Sequence, residues 1–215
     1  MRSQTLACLA AFGLASSLGA QDPHFGFAFN LAFPTGEFRE KSYAPTSTVL
    51  ATQKEGDDIG VGGQFTLSFP LENTVAIRLN FGGQSTSGSN TAPGYAKQTL
   101  QHNIFSIGGD FQLFINGSAR RHRGTYFFFG PSADFERWDY REDAGSDHWH
   151  DYWDYTTYER KSRMGANFGI GNSFGTHVGR FTMEVGFHKT LSGNDAAKGE
   201  PPSADFVKLS FGWVF

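Results

Sequence analysis

The chain ends in the stretch VKLSFGWVF, residues 207–215, and this stretch decides the fold. Every second residue from Val207 to Phe215 is apolar, whereas Lys208, Ser210 and Gly212 lie between them. Successive side chains of a β-strand point to opposite faces of a sheet, so this alternation predicts a strand with one apolar face. A terminal strand with an exposed apolar face invites aggregation in water unless another surface, such as a lipid bilayer, covers it.

The same alternation appears in seven earlier segments, so the sequence predicts eight strands. We expect them at about 24–33, 58–69, 74–83, 98–115, 125–137, 160–171, 180–190 and 207–215. The fifth segment is less regular because residues 126–129 are a continuous aromatic run, and the sixth has the weakest alternation.

The connections between these segments alternate in length. Short ones are predicted at 70–73, 116–123 and 172–179, and long ones at 34–57, 84–97, 138–159 and 192–204. Short turns at one end and long loops at the other are typical of outer-membrane barrels. Because the first strand leads into a long connection, both termini are expected at the short-turn, periplasmic end.

The first 20 residues are predicted to be a cleaved signal peptide. Arg2 supplies the positive charge, residues 6–18 are the apolar core, and Gly19 and Ala20 are small residues suited to cleavage. The predicted domains are therefore the signal peptide, 1–20, and one barrel domain, 21–215. Cys8 is the single cysteine of the chain, so no disulfide is expected after export.

The composition excludes several classes of protein. No later segment approaches the roughly 20 apolar residues of a membrane helix. The formal net charge is −3 and basic residues are not concentrated on one predicted face, which argues against nucleic-acid binding. The chain contains 23 phenylalanines, yet its mean hydropathy is −0.38, as expected when apolar residues occupy every second position.

The two faces of the predicted strands differ in size and charge. Eight strands enclose a lumen just wide enough for side chains, so the phenylalanine-rich face is too bulky to fill it. The opposite face is small or polar and includes Arg78, Asp110, Arg163, Glu184, His188 and Lys208. We therefore expect the phenylalanines to face lipid and the polar set to fill the lumen. The alternative is a soluble ligand-binding barrel with an apolar interior.

The expected charges of the lumen allow two interpretations. Arg78 and Asp110 should lie at similar heights on neighbouring strands, as should Glu184 and Lys208. The pairs are either a gate that opens when salt bridges rearrange or a static plug. Buried charges need partners in both cases, so a plugged lumen is the simpler expectation.

Residues 147–155, DHWHDYWDY, form the most distinctive part of a long loop. His148 and His150 would project to the same side of an extended chain, which makes them weak candidates for a metal site. The alternative is an exposed recognition surface, since aromatic residues are enriched in interfaces. Its candidate residues are Trp149, Tyr152, Trp153 and Tyr155. No cofactor is expected.

The signal peptide, the eight alternating strands and the terminal pattern resemble the small outer-membrane barrels of the OmpA/OmpX/OmpW type. The terminal pattern consists of Val207, Leu209, Phe211, Trp213 and Phe215. The resemblance covers the mature chain and implies an all-β, eight-stranded antiparallel up-and-down transmembrane β-barrel in the cell outer membrane. It also implies that the terminal pattern is read by the barrel-assembly machinery, that outer-membrane lipid and lipopolysaccharide are partners, and that the barrel is monomeric.

This resemblance leaves the function open, since one fold serves many functions. We expect a non-enzymatic barrel with an envelope-structural or surface-interaction role. The alternatives are a narrow channel for small or apolar solutes and a lipid A-modifying enzyme. An enzyme of that kind would need closely spaced histidine and serine. Ser146 with His148, and His188 with Ser192, do not show the tight His-x-Ser arrangement of the deacylase family.

Overall fold

The computed structural model describes residues 22–35, 59–90, 97–143, 153–176, 179–191 and 204–215. The predicted signal peptide lies outside these residues. None of the described residues forms a helix with the length and hydropathy of a membrane span.

The described residues form eight strands, as the sequence predicts. They are β1 (His24–Pro34), β2 (Gly60–Pro70), β3 (Val75–Asn90), β4 (Lys97–Ser118), β5 (Arg123–Asp143), β6 (Trp153–Thr176), β7 (Gly179–Thr190) and β8 (Phe206–Val214). Each strand pairs antiparallel with the next, and β8 returns to pair with β1. The protein is therefore a closed eight-stranded antiparallel barrel.

The terminal strand closes the barrel. Leu209 faces Leu31 and Trp213 faces Phe27 in the β1–β8 register. The backbone N–H of Phe215 donates to the carbonyl of Phe25 over 2.8 Å, so pairing continues to the last residue. Closure gives each strand a hydrogen-bonded neighbour on both sides within the ring of eight strands.

The predicted orientation of the two faces is confirmed. Phe29, Phe65 and Phe129 on the outer surface are 52%, 59% and 55% exposed, and similar side chains surround them. Arg78 and Asp110, on the opposite face, are buried in the lumen. The alternative of an apolar lumen inside a water-facing shell does not agree with this arrangement.

Four strands are longer than predicted. β3 to β6 contain 16, 22, 21 and 24 residues, whereas β1, β2, β7 and β8 contain 9 to 12. The predicted loops 84–97 and 138–159 and the predicted short connections 116–123 and 172–179 are therefore wrong at their ends, which belong to strands. Where the side chains of these added segments are described, the outward positions are polar, as at Ser87 and Asp139, so no apolar alternation reveals the segments in the sequence.

Some aromatic residues point inward, which the sequence analysis did not predict. Trp138, assigned to a loop, is buried in the lumen together with Tyr126 and Phe128. Glycines on facing strands make room for these rings. A Cβ atom on Gly171 would lie only 2.6 Å from Tyr126 Cζ, and one on Gly186 only 3.0 Å from Phe128 Cζ.

The two ends of the barrel differ. His24, the first residue of β1, has its Nε2 atom 2.9 Å from the carbonyl oxygen of Arg120 in the turn 119–122. β8 ends beside the start of β1, as the contact of Phe215 with Phe25 shows. The start of β1 and the end of β8 therefore lie at the short-turn end of the barrel. β3 to β6 extend beyond the other strands at the opposite end.

Candidate functional site

A buried charge network crosses the middle of the lumen. Arg78 Nη2 on β3 lies 2.7 Å from Asp110 Oδ2 on the neighbouring strand β4. The Nη1 atom of Arg78 forms a second salt bridge with Glu184 Oε1 on β7, which is not a neighbour of β3. The second salt bridge therefore spans the interior of the barrel.

Other side chains fix this network in place. Tyr126 donates its hydroxyl proton to Glu184 over 2.6 Å, and Asn80 donates to Asp110 over 2.6 Å. The guanidinium carbon of Arg78 lies 5.0 Å from the centre of the Phe128 ring. Side chains from four strands, β3, β4, β5 and β7, thus converge on one level of the lumen.

An aromatic layer closes the lumen on the short-turn side of the network. His122, in the turn 119–122, is buried and adopts a positive φ of 42°. Its ring packs edge-on against Phe114 and Tyr126, each at 5.6 Å between centroids, and Ser173 donates to its carbonyl over 2.5 Å. Burial, reinforced by the positive charge of Arg78, lowers the pKa of His122 to about 3.

On the other side of the network, Glu136 is the centre of a second polar group. Trp138 donates its indole proton to Glu136 Oε2 over 3.2 Å. The same oxygen lies 3.6 Å from Arg163 Nε and 3.7 Å from His102 Nε2. The rings of His102 and Trp138 stack at 3.6 Å between centroids, so a flat aromatic pair lies across this level of the lumen.

Asp134 contacts several side chains beside the Glu136 group, at the same level of the lumen. Ser106 donates to its Oδ1 atom over 2.6 Å, and His188 Nε2 lies 3.2 Å from its Oδ2 atom. The ring of His188 stacks on Phe206 at 4.6 Å between centroids. Phe206 belongs to an apolar cluster with Ile104 and Trp138. Charged and apolar side chains therefore fill the lumen together on this side of the Arg78 network.

Between the two levels lies a polar cavity of about 50 Å³. Lys208 lines it and donates to Gln64 Oε1 over 3.0 Å. Asn30, Asn80 and Asp110 also line it, and each has a buried side-chain oxygen without a protein partner. Its size and polarity suit a water molecule rather than a solute.

The structure places every predicted charge of the lumen on an inward position of its strand. It brings Arg78, Asp110 and Glu184 together, whereas Arg163 and His188 belong to the second level with Glu136 and Asp134. Lys208 bonds to Gln64 rather than to Glu184. The sequence analysis missed His102, His122 and Tyr126. His102 and Tyr126 lie on inward positions that follow from the alternation of β4 and β5. At Tyr126 the continuous aromatic run 126–129 hid this alternation.

Other predicted sites fall at the edge of the described residues or beyond it. His148, His150, Trp149 and Tyr152 lie outside them, and Trp153 and Tyr155 lie in β6, whose backbone alone is described there. Within the described part of the chain, no group of three or more His, Cys, Asp or Glu side chains is suited to hold a metal ion.

The predicted assembly signal lies on the outer face of β8 and continues to the final residue. Phe215 and Trp213 are exposed, and Phe211, Leu209 and Val207 are partly exposed. Recognition of this row by the assembly machinery remains a prediction.

No family model and no curated protein matches the sequence. Solved structures do match. The attachment invasion locus protein Ail of Yersinia pestis is 12% identical, with 90% of this chain and 96% of that chain covered and a TM-score of 0.42. Neisserial surface protein A is 12% identical, with 91% and 97% covered and a TM-score of 0.45. The N-terminal β-barrel domain of Pseudomonas aeruginosa OprF is 14% identical, with 91% and 99% covered and a TM-score of 0.36.

At such low identity these matches concern the fold alone. The strand pairing of this chain confirms the predicted fold. The lumen site is defined by contacts between this chain's own side chains.

Replacing Arg78 tests the charge network. Arg78→Met leaves Asp110 and Glu184 buried without their counter-charge, so we expect the free energy of unfolding to fall by about 3–5 kcal/mol. Urea unfolding of the protein folded in detergent micelles measures this loss. The control is Arg137→Met, because Arg137 pairs with Asp139 at an exposed site, where a pair contributes about 1 kcal/mol or less. Equal losses in both variants would contradict a buried plug.

Replacing His122 tests the turn that closes the short-turn end. In the unfolded chain His122 binds a proton below its ordinary pKa of 6.5, whereas in the folded chain it does so only near pH 3. The unfolded state therefore binds more protons in this window, and the free energy of unfolding should fall as the pH falls through it. His122→Asn tolerates the positive φ and removes the titration, so its stability should depend less steeply on pH between 6.5 and 3. Identical pH slopes in the two proteins would contradict a buried neutral imidazole.

Proposed function

We propose that the protein is a monomeric, non-enzymatic integral barrel of the outer membrane, with a closed lumen and a role in envelope structure or surface interaction. The outer surface supports the membrane location. Large apolar side chains cover it on every strand from β1 to β8, a surface that favours association in water. In hydrocarbon an unpaired backbone group costs several kcal/mol, and within the ring of eight strands each strand has a hydrogen-bonded neighbour on both sides.

The unequal ends of the barrel support an orientation. In outer-membrane barrels the short turns are periplasmic and the longer loops are extracellular. The turns 71–74 and 119–122 lie at one end with both described ends of the chain, and β3 to β6 extend at the other. We therefore place both termini in the periplasm and the long connections at the cell surface.

The salt bridge between Arg78 and Glu184 is the main observation in favour of a closed lumen. It crosses the interior, and aromatic layers lie on both sides of it. The cavity of about 50 Å³ between these levels is far smaller than the roughly 300–1,000 Å³ of ligand pockets. A continuous path for solutes would require the network to break.

The surroundings of His188 support a non-enzymatic role. Its Nδ1 atom lies 3.0 Å from Asn167 Oδ1, and its Nε2 atom lies 3.2 Å from Asp134 Oδ2. Both ring nitrogens therefore have partners, and neither is directed at a serine hydroxyl as a general base for acyl transfer would be. The ring is also buried against Phe206.

A role in surface interaction rests on the longest pair of strands. β5 and β6 contain 21 and 24 residues, and the stretch that joins them includes two histidines and an aromatic sequence. We propose this stretch as the recognition surface, with lipopolysaccharide among its partners. The terminal strand would serve recognition by the barrel-assembly machinery.

The lipid-facing surface can be tested with Phe65, which lies in the middle of the apolar residues of β2. In a bilayer Phe65→Arg should lower the free energy of unfolding by about 2–4 kcal/mol, because a charge near the midplane leaves water. Gln101→Arg, on the outer surface of β4 towards the far end, should cost about 1 kcal/mol or less. Urea unfolding in phosphatidylcholine vesicles gives both values. A neutral or stabilising effect of Phe65→Arg would indicate a water-facing surface.

Planar-bilayer recording tests the closed lumen. The purified wild-type protein should insert without discrete conductance steps, because the plug crosses the lumen at several levels. The variant Arg78→Ala, His122→Ala, Trp138→Ala removes a bulky group from each level and should conduct, whereas Phe129→Ala on the outer surface should remain silent. Steps from the wild-type protein would instead support the narrow channel.

A further inference from the structure

The outer surface of β4, β5 and β6 changes character abruptly near the short-turn end. Leu113, Phe127 and Ile170 lie side by side in the strand register and are exposed. The next outward row is Asn116, Thr125 and Asn172, which are also neighbours in the register. One step along the barrel therefore replaces an apolar row with a polar one.

A β-bulge produces this change on β4. The register shifts between Phe114 and Asn116, so Ile115 is the additional residue and Asn116 lies opposite Thr125. Ile115 is 59% exposed and Asn116 is exposed beside it. The bulge turns an amide to the outer surface without removing the apolar side chain next to it, which is the usual way in which bulges redirect side chains.

The polar row borders an open hollow of about 650 Å³. Asn73, Asn116, Thr125 and Asn172 contribute polar groups to it, and Arg121 and Arg123 contribute guanidinium groups. Among the described residues that line this hollow there is no aspartate or glutamate. Its wall thus offers many hydrogen-bond donors and positive charge, which is the chemistry of an anion site.

Within the described part of the chain, the arginines around the hollow have no carboxylate partner. Arg121 and Arg123 are exposed and lie close enough to act as like charges on Arg180. Among the residues that the structure describes, no salt bridge joins Arg120, Arg121, Arg123 or Arg180 to an acidic side chain. Glu72, in the neighbouring turn 71–74, is exposed and forms no ion pair with them there.

We propose that this hollow binds the phosphate group of an anionic phospholipid in the leaflet at the short-turn end. The planar guanidinium groups of Arg121 and Arg123 match phosphate oxygens in geometry and charge. Phe174, which is 49% exposed, lines the same hollow, and the apolar row of Leu113 lies one step away. This apolar wall distinguishes a lipid, whose acyl chains it would contact, from a free phosphate. The inference rests on the proposed membrane location.

The test uses the full protein folded in zwitterionic detergent micelles and titrated with phosphatidylglycerol, with bound lipid counted by native mass spectrometry. Arg121→Gln and Arg123→Gln should each weaken binding about fivefold, and the double variant about twentyfold or more, as expected for basic residues at an anionic surface. Arg120→Gln is the matched control, because Arg120 is exposed in the same turn but does not line the hollow. We expect its affinity to stay within about twofold of the wild type.

Two further ligands identify the source of the phosphate. Glycerol phosphate has the phosphate group without acyl chains, and phosphatidylcholine has acyl chains without net charge. Both should bind more weakly than phosphatidylglycerol. Equal binding of glycerol phosphate would make this a free-anion site, and equal binding of phosphatidylcholine would make it a nonspecific lipid contact. Either result, or an Arg120→Gln effect as large as that of Arg123→Gln, would overturn the proposal.

Insertion into vesicles of pure phosphatidylcholine separates this inference from the proposed function. A barrel that inserts, resists protease and shows heat-modifiable migration, but does not prefer phosphatidylglycerol, retains the membrane role and contradicts the lipid site. A protein that remains folded in solution and does not insert contradicts both. The same assay shows that each arginine variant is folded before its affinity is compared.

Discussion

The hydrogen bonds between β8 and β1 are the constraint on which the rest of the structure depends. They join the last residues of the chain to the first strand, so that each strand has a partner on both sides within the ring of eight strands. With eight strands, closure also sets the width of the lumen, which then holds side chains and little else. The closed ladder therefore explains both why an apolar band can run around the whole outer circumference and why the interior has to be filled.

A lumen of this width is filled by pairing large side chains with glycine. Tyr126 and Phe128 occupy space that Gly171 and Gly186 leave free, and their rings support the charges of Arg78 and Glu184. The charges are paired across the barrel because an isolated charge would be costly there. The polar centre and the aromatic layers are consequently parts of one packing solution, in which each ring limits the movement of a salt bridge.

The alternating apolar phase made the number of strands, their order and their outward faces predictable from the sequence. It did not reveal where β3, β5 and β6 end, because residues such as Trp138 lie beyond the apolar band, where both faces of a strand are polar or aromatic. It also did not reveal that Tyr126 points inward, since residues 126–129 are all aromatic. The Arg78–Asp110 pair follows from neighbouring strands, whereas the Arg78–Glu184 bridge crosses the lumen and depends on barrel diameter, which no local pattern contains.

The buried charges also specify the register of the strands. A slip of one residue in any strand exchanges its two faces. In β3 such a slip would place Arg78 outside, among apolar side chains, and would bring Ile77 and Leu79 into the polar level around Asp110. An apolar filling would penalise this error far less, because both faces of each strand would then be alike. A buried ion pair contributes little stability compared with apolar packing of the same volume, so its main contribution here is to make the inside of the barrel different from its outside.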